Sequence, residues 1–208
     1  MTKLIYIEAS PRKERSSSIE EAHVFLEEYR KIHSQDTVTV LDLWHKELPS
    51  FDGDIIEAKY AIMHGKSPTP QQKKAWAAIE EIIAEFKSGD KYVFSLPMWN
   101  FSIPYKLKHY IDLLVQPTYT FSFSPQEGYK GLVTGKKVVL ICARGGAYGP
   151  GSGGEGLDMQ VNYMKTILGF IGFQQFETIL IEPTLDPAKK PEALERAKLL
   201  AQKIALSF

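Results

Sequence analysis

The sequence has little cysteine and no excess of charge. Cys142 is the only cysteine among 208 residues, which excludes an internal disulfide and a cluster of cysteine metal ligands. It lies in an apolar run, where a buried, inert thiol is expected rather than a nucleophile. Lysine plus arginine and aspartate plus glutamate both number 25, so the net charge is zero. This balance speaks against nucleic acid or a membrane surface as the main partner.

Long hydrophobic runs are missing as well. No apolar stretch approaches the roughly 20 residues that span a bilayer, and Glu8 brings a charge too early for a signal peptide. We therefore expect a cytoplasmic protein. The hydrophobic content of 44% and the charged content of 24% are ordinary for a globular protein. The length predicts a single domain that covers residues 1–208.

Motifs for hydrolytic and metal chemistry are absent from the sequence. No G-x-S-x-G or G-x-x-x-x-G-K-[ST] motif occurs. No two histidines have the spacing of metal ligands, and most fall in predicted helices. The five histidines are His23, His33, His45, His64 and His109. The sequence thus predicts no metal site and no catalytic side chain, and a bound cofactor would have to supply the chemistry.

Short apolar strands alternate with helical patterns along the chain. The predicted strands cover residues 4–9, 37–43, 91–96, 137–143 and 175–181. Helical spacing is found near 18–32, 54–64, 70–88, 106–115, 158–170 and 187–206, and Thr69 and Pro70 form a helix start. A small hairpin is predicted within 118–135. The pattern predicts an α/β fold, with a five-stranded parallel sheet and helices on both faces.

The first loop (residues 10–18) connects the first strand to a helix. Unpaired N–H groups and the positive dipole end make such a helix start a site for a phosphate. The candidate phosphate ligands are Ser10, Ser16, Ser17 and Ser18. Arg12, Lys13 and Arg15 would favour an anion there. A polar turn with an N-cap serine, or a phosphorylation site, is an alternative interpretation.

The second loop (residues 97–104) follows the third predicted strand, where ligands bind in open α/β sheets. Pro97 and Pro104 bracket it and make it stiff, and Pro104 suits the first position of the next helix. The loop carries Trp99, Asn100 and Phe101. Aromatic rings, an amide and free backbone N–H groups suit a flat heterocycle. A buried turn whose aromatic side chains join the core is the alternative interpretation.

The third loop (residues 143–148) follows the fourth predicted strand, and Gly145 and Gly146 would let its backbone approach a ligand closely. The glycine-rich segment after it (residues 149–156) formally contains a G-x-G-x-x-G dinucleotide motif. Five residues separate this motif from the strand, and Pro150 would stiffen its turn. A dinucleotide site without flavin, with Glu182 as the ribose-binding acid, is a weaker alternative.

Taken together, these loops resemble the FMN-dependent NADH:azoreductases, which belong to the NAD(P)H:quinone oxidoreductase family. The matching motifs are Ser10-Pro11-Arg12 with Ser16 and Ser18, Pro97-Met98-Trp99-Asn100-Phe101-Ser102-Ile103-Pro104, and Arg144-Gly145-Gly146. Gly131-Leu132-Val133 and Leu168-Gly169-Phe170-Ile171-Gly172 also match, so the resemblance covers essentially the whole chain. It implies a flavodoxin-like doubly wound fold and a homodimer that binds FMN at the subunit interface.

The resemblance also implies roles for individual residues. The serines of the first loop would hold the FMN phosphate. The other implied cofactor-binding residues are Pro97, Met98, Trp99, Asn100, Phe101, Ala143, Arg144, Gly145 and Gly146. Phe121 and Phe123 match aromatic residues that wall the substrate side. Trp99 replaces a commoner tyrosine and Ala143 a serine, and the glycine-rich segment leaves the choice of acceptor open.

We therefore expect an enzyme that works in two steps, by a ping-pong mechanism. NADH or NADPH would pass a hydride to FMN, and a quinone or azo compound would then be reduced at the same site. An electron-carrying flavodoxin is the main alternative, although flavodoxins tend to be acidic and this chain has no net charge. A regulatory flavin or quinone sensor would leave no recognisable trace in the sequence.

Overall fold

The architecture is that of a five-stranded parallel sheet, seen in a computed structural model that describes residues 1–63, 66–67 and 69–208. The sheet strands are β1 (Lys3–Glu8), β2 (Thr37–Asp42), β3 (Lys91–Pro97), β6 (Lys137–Ala143) and β7 (Gln175–Ile181). Their order is β2-β1-β3-β6-β7. The strands β4 (Phe121–Ser124) and β5 (Gly128–Gly131) form a separate antiparallel hairpin. All five predicted strands and the hairpin are confirmed.

Six helices are found in the described part of the chain. They are α1 (Ser17–Ile32), α2 (Gly53–Met63), α3 (Pro70–Lys87), α4 (Tyr105–Leu114), α5 (Met159–Ile171) and α6 (Lys190–Ala205). Thr69 caps α3 and forms a capping box with Gln72, as its sequence predicts. None of these helices is long and apolar enough to cross a membrane. His64, the last residue of the predicted second helix, lies outside the described residues.

Two helix starts differ from the prediction by a few residues. Pro104 is the N-cap of α4 rather than its first residue. The last helix begins at Lys190 instead of residue 187, because Asp186 accepts a bond from the backbone N–H of Ala188 and holds a turn before the helix. Such local side-chain to backbone bonds compete with helix formation.

Helices cover both faces of the sheet and create two apolar cores. On one face, α1 and α6 bury Phe25, Leu26 and Ile204 against β-strand residues such as Val93 and Val139. On the other face, α3, α4 and α5 pack against the opposite side chains of the same strands. The central strands are buried on both faces and therefore appear as continuous apolar runs.

The order in which the strands are added to the sheet reverses between β1 and β3. From β1 the sheet grows toward β2 on one side and toward β3 on the other. The two strands end together, because Glu8 pairs with Ser95 and the Ala9 N–H donates to the Ser95 carbonyl. In doubly wound sheets, ligands bind in the crevice outside the carboxyl ends of the strands at such a reversal point.

A buried carboxyl group lies between the helices of the first face. Glu21 on α1 is only 3% exposed, and its Oε2 has no hydrogen-bond partner among the described residues. Burial above all, together with the carboxylates of Glu20 and Glu195 and against the lowering effect of Lys198, raises the pKa of Glu21 to about 7. The native state therefore holds a proton here that the unfolded chain releases near pH 4.3.

We predict that Glu21→Gln removes a pH-dependent loss of stability. A folded pKa above the unfolded value lowers stability as pH rises from about 4.5 to 7. The free energy of unfolding of the variant, relative to the parent chain, should therefore increase by roughly 1 to 3 kcal/mol between pH 4.5 and pH 8. Urea unfolding at several pH values measures this. Glu47→Gln, at an exposed site, should leave the pH dependence of the free energy of unfolding as in the parent chain. A difference between Glu21→Gln and the parent chain that is the same at every pH would contradict the prediction.

Candidate functional site

The three predicted loops meet at the carboxyl edge of the sheet. The Ala9 N–H bond to Ser95 ties the start of the first loop to β3. The Met98 N–H donates to the Ala143 carbonyl at 2.8 Å, which joins the second loop to the third. The structure thus brings together the candidate residues of all three loops, at the reversal point between β1 and β3.

The first loop presents buried hydroxyl groups and free backbone donors. Ser10 and Ser18 are fully buried and Ser16 is 5% exposed, and the Ser16 and Ser18 hydroxyls lie 3.2 Å apart. Ser16 is the N-cap of α1, but its side chain makes no capping bond. Among the described residues, the N–H groups of Ser17 and Ser18 have no acceptor. A helix start with these unused donors is suited to binding an anion.

Lys13 shapes the first loop but does not offer it a free charge. Its Nζ lies 2.7 Å from Glu8 Oε1 and also contacts Asp42, so its charge is balanced at the ends of β1 and β2. Its φ of +49° is in the left-handed region, which non-glycine residues rarely adopt. Arg12 and Arg15 are exposed. Attraction for an anion therefore comes from the helix start more than from Lys13.

The second loop is a tight turn whose tip faces solvent. Trp99 and Ser102 exchange backbone hydrogen bonds and the Met98 N–H donates to Ala143, so the free N–H groups expected in this loop are not those of Met98 and Trp99. Asn100 and Phe101 have φ values of +48° and +67°. Their N–H groups have no acceptor among the described residues, and Phe101 is 44% exposed. Strain of this kind in an aromatic residue is typical of functional sites.

Trp44 supports the second loop, and sequence reasoning missed it. Its indole Nε1–H donates to the Ala9 carbonyl at 3.0 Å. Its ring packs against Trp99 at 6.0 Å and edge-on against Tyr105 at 5.5 Å, measured between ring centroids. The half-buried Trp99 ring therefore lies against Trp44 as well as in the loop. The position of Trp44, two residues after β2, is the feature of the sequence that could have indicated this role.

The Arg144 side chain is directed into the protein interior, and the assignment of this residue to cofactor binding stays a prediction. Its guanidinium is fully buried and donates to Gln160 at 2.9 Å, Asp158 at 2.7 Å and Glu182 at 3.2 Å. Its backbone N–H and carbonyl are bonded to Ile181 and Thr184. Arg144 therefore anchors the third loop to the protein interior. A buried arginine needs such partners, since an unpaired buried charge is very costly.

Gly145 and Gly146 are half-buried residues of the third loop. Their N–H groups have no acceptor among the described residues. The loop after β7 holds them in place, because the N–H groups of Thr184 and Leu185 both donate to the Gly145 carbonyl at 3.1 Å. These glycines can therefore offer backbone donors to a ligand, as expected, while the half-buried Ala143 forms the end of β6.

The geometry is against the dinucleotide alternative. Glu182, its candidate ribose acid, accepts hydrogen bonds from Arg144 and from the N–H groups of Tyr148 and Gly149. A 3₁₀ turn of three residues, Glu155–Leu157, separates the glycine motif from α5, and the Asp158 carboxylate already accepts from the N–H groups of Gln160 and Val161 at the start of that helix.

The predicted aromatic wall is not formed beside the three loops within one chain. Phe121 packs on Phe170, near the C-terminal end of α5, with 4.9 Å between ring centroids. Phe123 is 60% exposed and packs on Tyr129 of the same hairpin. The third loop instead contacts Asp158, the N-cap of α5. This helix of 13 residues is about 20 Å long, so the hairpin and the loops lie near its opposite ends.

Comparison with known proteins gives one family over the whole chain. The family model described as a flavodoxin-like fold matches residues 2–204. This chain belongs to the flavodoxin-like family. It is 48% identical to an FMN-dependent NADH:quinone oxidoreductase of Desulfotalea psychrophila, over 99% of this chain and 97% of the relative. An enzyme of the same name from Nitratidesulfovibrio vulgaris is 45% identical, over 97% of this chain and 99% of its own.

Solved structures agree with this membership. An azoreductase from Bacillus anthracis has a TM-score of 0.91 and 35% identity, with both chains covered completely. An FMN-dependent NADH-azoreductase from the same species, solved in complex with FMN, has a TM-score of 0.89 and 28% identity, over 99% of this chain and 98% of its own. The resemblance to the azoreductases and the flavodoxin-like fold are both confirmed.

Proposed function

We propose that this flavodoxin-like protein is an FMN-dependent NADH:quinone oxidoreductase that also accepts azo compounds. The observation that carries the proposal is the meeting of three ligand-type loops at the reversal point between β1 and β3. The names of relatives that match nearly the entire chain support the cofactor, the reductant and the acceptor class. Use of NADPH in place of NADH stays a prediction.

The residues of the three loops fit FMN. Buried hydroxyls and unused N–H groups at the start of α1 suit its phosphate. In this proposal the phosphate ligands are Ser10, Ser16, Ser17 and Ser18, and the ring would lie among Pro97 to Phe101 and Ala143 to Gly146. Arg144 would act only through its anchoring of the third loop. The N–H groups of Asn100, Phe101, Gly145 and Gly146 have no acceptor among the described residues and would be the donors toward a ring edge.

When bound, FMN supplies a ring that can accept a hydride from NADH and pass two electrons to a quinone or azo compound. The chain's own task is to bind and orient. Backbone N–H groups of the second and third loops provide fixed dipoles toward the ring, with no reorganisation when its charge changes. No side chain of these loops needs to act as an acid or base.

The redox function is tested with the purified protein loaded with FMN under anaerobic conditions. We expect NADH to bleach its visible absorbance and a quinone to restore it, with parallel initial-velocity lines in the steady state. Binding of FMN without reduction by NADH would favour an electron-carrying flavodoxin. A chain that takes up no FMN would contradict the proposal.

We predict that Ser16→Ala combined with Ser18→Ala weakens FMN binding but leaves riboflavin binding unchanged. Riboflavin lacks the phosphate that these hydroxyls would contact. Each hydrogen bond to a charged group is worth about 1.5 to 3 kcal/mol, so loss of even one should raise the Kd for FMN by about tenfold or more. Quenching of flavin fluorescence measures both constants. Ser34→Ala, at an exposed position, is the matched control, and an equal loss for both flavins would refute the assignment.

We also propose that two copies of this single domain, residues 1–208, form a cytoplasmic homodimer. The substrate role of Phe121 and Phe123 requires a second copy, since their own hairpin lies at the other end of α5 from the three loops. Phe123 and Tyr129 are 60% and 66% exposed, which leaves aromatic surface for such a contact.

Two measurements test the homodimer. Sedimentation velocity should give twice the mass of one chain. Phe123→Ala should raise the KM for a quinone and leave the Kd for FMN unchanged, because this residue would face the acceptor and not the cofactor. A fully active monomer, or a Phe123→Ala variant with an unaltered KM, would speak against the shared site.

A further inference from the structure

A buried ionic cluster lies beneath the third loop. One guanidinium, that of Arg144, faces two carboxylates, those of Asp158 and Glu182, and the side-chain exposures are 0%, 11% and 12%. Gln160 completes the cluster, because it accepts from Arg144 and donates to the Leu96 carbonyl at the end of β3. The cluster thus connects the ends of β3, β6 and β7 with the start of α5.

Glu182 is the member of this cluster that also binds the start of the glycine-rich segment. Its Oε2 accepts from the Tyr148 N–H at 2.9 Å, and its Oε1 accepts from the Gly149 N–H at 2.8 Å. The same Oε2 accepts from Arg144. One carboxylate therefore connects the junction between the third loop and the glycine-rich segment with the buried ionic cluster.

The junction is closely packed around Gly146 and Gly149. A Cβ on Gly149 would collide with Glu182 Oε1 and would lie 3.0 Å from Leu180 Cδ1. A Cβ on Gly146 would lie 3.0 Å from the Tyr148 hydroxyl, so the tyrosine ring lies close to Gly146. Both glycines are needed for close approach rather than for a left-handed φ.

Tyr148 connects the carboxylate with the second loop. Its ring packs edge-on against Phe101, with centroids 5.9 Å apart and an interplanar angle of 84°. Phe101 is 44% exposed and has a strained φ of +67°, so its position depends on its neighbours. The Tyr148 backbone thus binds the Glu182 carboxylate while its ring contacts the second loop.

We infer that Glu182 is a positioning residue, which holds Tyr148 against Phe101 and so sets the width of the site for the electron acceptor. The identity of the electron acceptor rests on the proposed function. The role of Glu182 in holding Tyr148 and Gly149 does not depend on it. Aromatic pairs of this kind add about 0.5 to 1.5 kcal/mol beyond their buried area, too little to keep a loop of glycines in one position without the carboxylate.

Glu182→Gln tests the inference with little risk to folding. It keeps the side-chain volume, and Arg144 retains the Asp158 carboxylate, so no unbalanced cation is left in the interior. The amide cannot accept from both backbone N–H groups as the two carboxylate oxygens do. Glu177→Gln, at an exposed position on β7, is the matched control.

The first readout is amide hydrogen exchange of the full chain, measured without added flavin. Loss of a bond to a charged acceptor should speed exchange of Tyr148 and Gly149 by about tenfold, with β6 and β7 unchanged. Gly149→Ala, which displaces the carboxylate without removing it, should speed exchange of Tyr148 in the same way. Unchanged exchange in both variants, or an equal increase throughout the sheet, would overturn the inference.

The second readout is steady-state kinetics of the FMN-loaded protein with a quinone. We expect Glu182→Gln to raise the KM for the quinone by about tenfold and to change kcat by less than about twofold, because binding and not electron transfer is disturbed. Faster amide exchange of Tyr148 and Gly149 together with an unchanged KM for the quinone would also overturn the positioning role. A parent chain that binds no FMN would refute the proposed function, and the exchange result would still decide whether Glu182 holds the loop.

Discussion

The parallel pairing of β1 with β3 is the constraint on which the site depends. It brings the ends of two strands together where the strand order reverses. The bond from the Ala9 N–H to the Ser95 carbonyl continues the pairing into the loops. The start of α1 follows within a few residues, with buried serine hydroxyls and backbone donors that the protein itself leaves unused. An anion at this point satisfies groups that would otherwise lack partners.

Most of the fold could be predicted because each element carries its own local signal. Strands such as β3 and β6 are buried on both faces and stand out as continuous apolar runs, and Thr69 and Pro70 define a helix start by their capping chemistry. The loops of the site could be found because they follow these strands directly. Boundaries were wrong by a few residues where a side chain competes with the backbone, as at Asp186.

The partners of each site residue could not be predicted, since they come from distant parts of the chain. Arg144 belongs to a loop motif of the family, but its charge is directed to Asp158 and Glu182, which follow it by 14 and 38 positions. Trp44 and Lys13 owe their roles to the neighbouring strand ends. Phe121 and Phe123 match family aromatics in sequence, yet their hairpin docks at the far end of α5.

The central claim is that residues of three loops form one flavin site, with the glycine-rich segment outside it. Titration of the isotopically labelled chain with FMN, followed by amide NMR shifts, tests this claim most directly. We expect the largest shifts in residues 10–18, 97–101 and 143–148, with those of Ser17, Ser18, Asn100 and Gly146 among them. Shifts centred on residues 149–156, with the start of α1 unaffected, would contradict it.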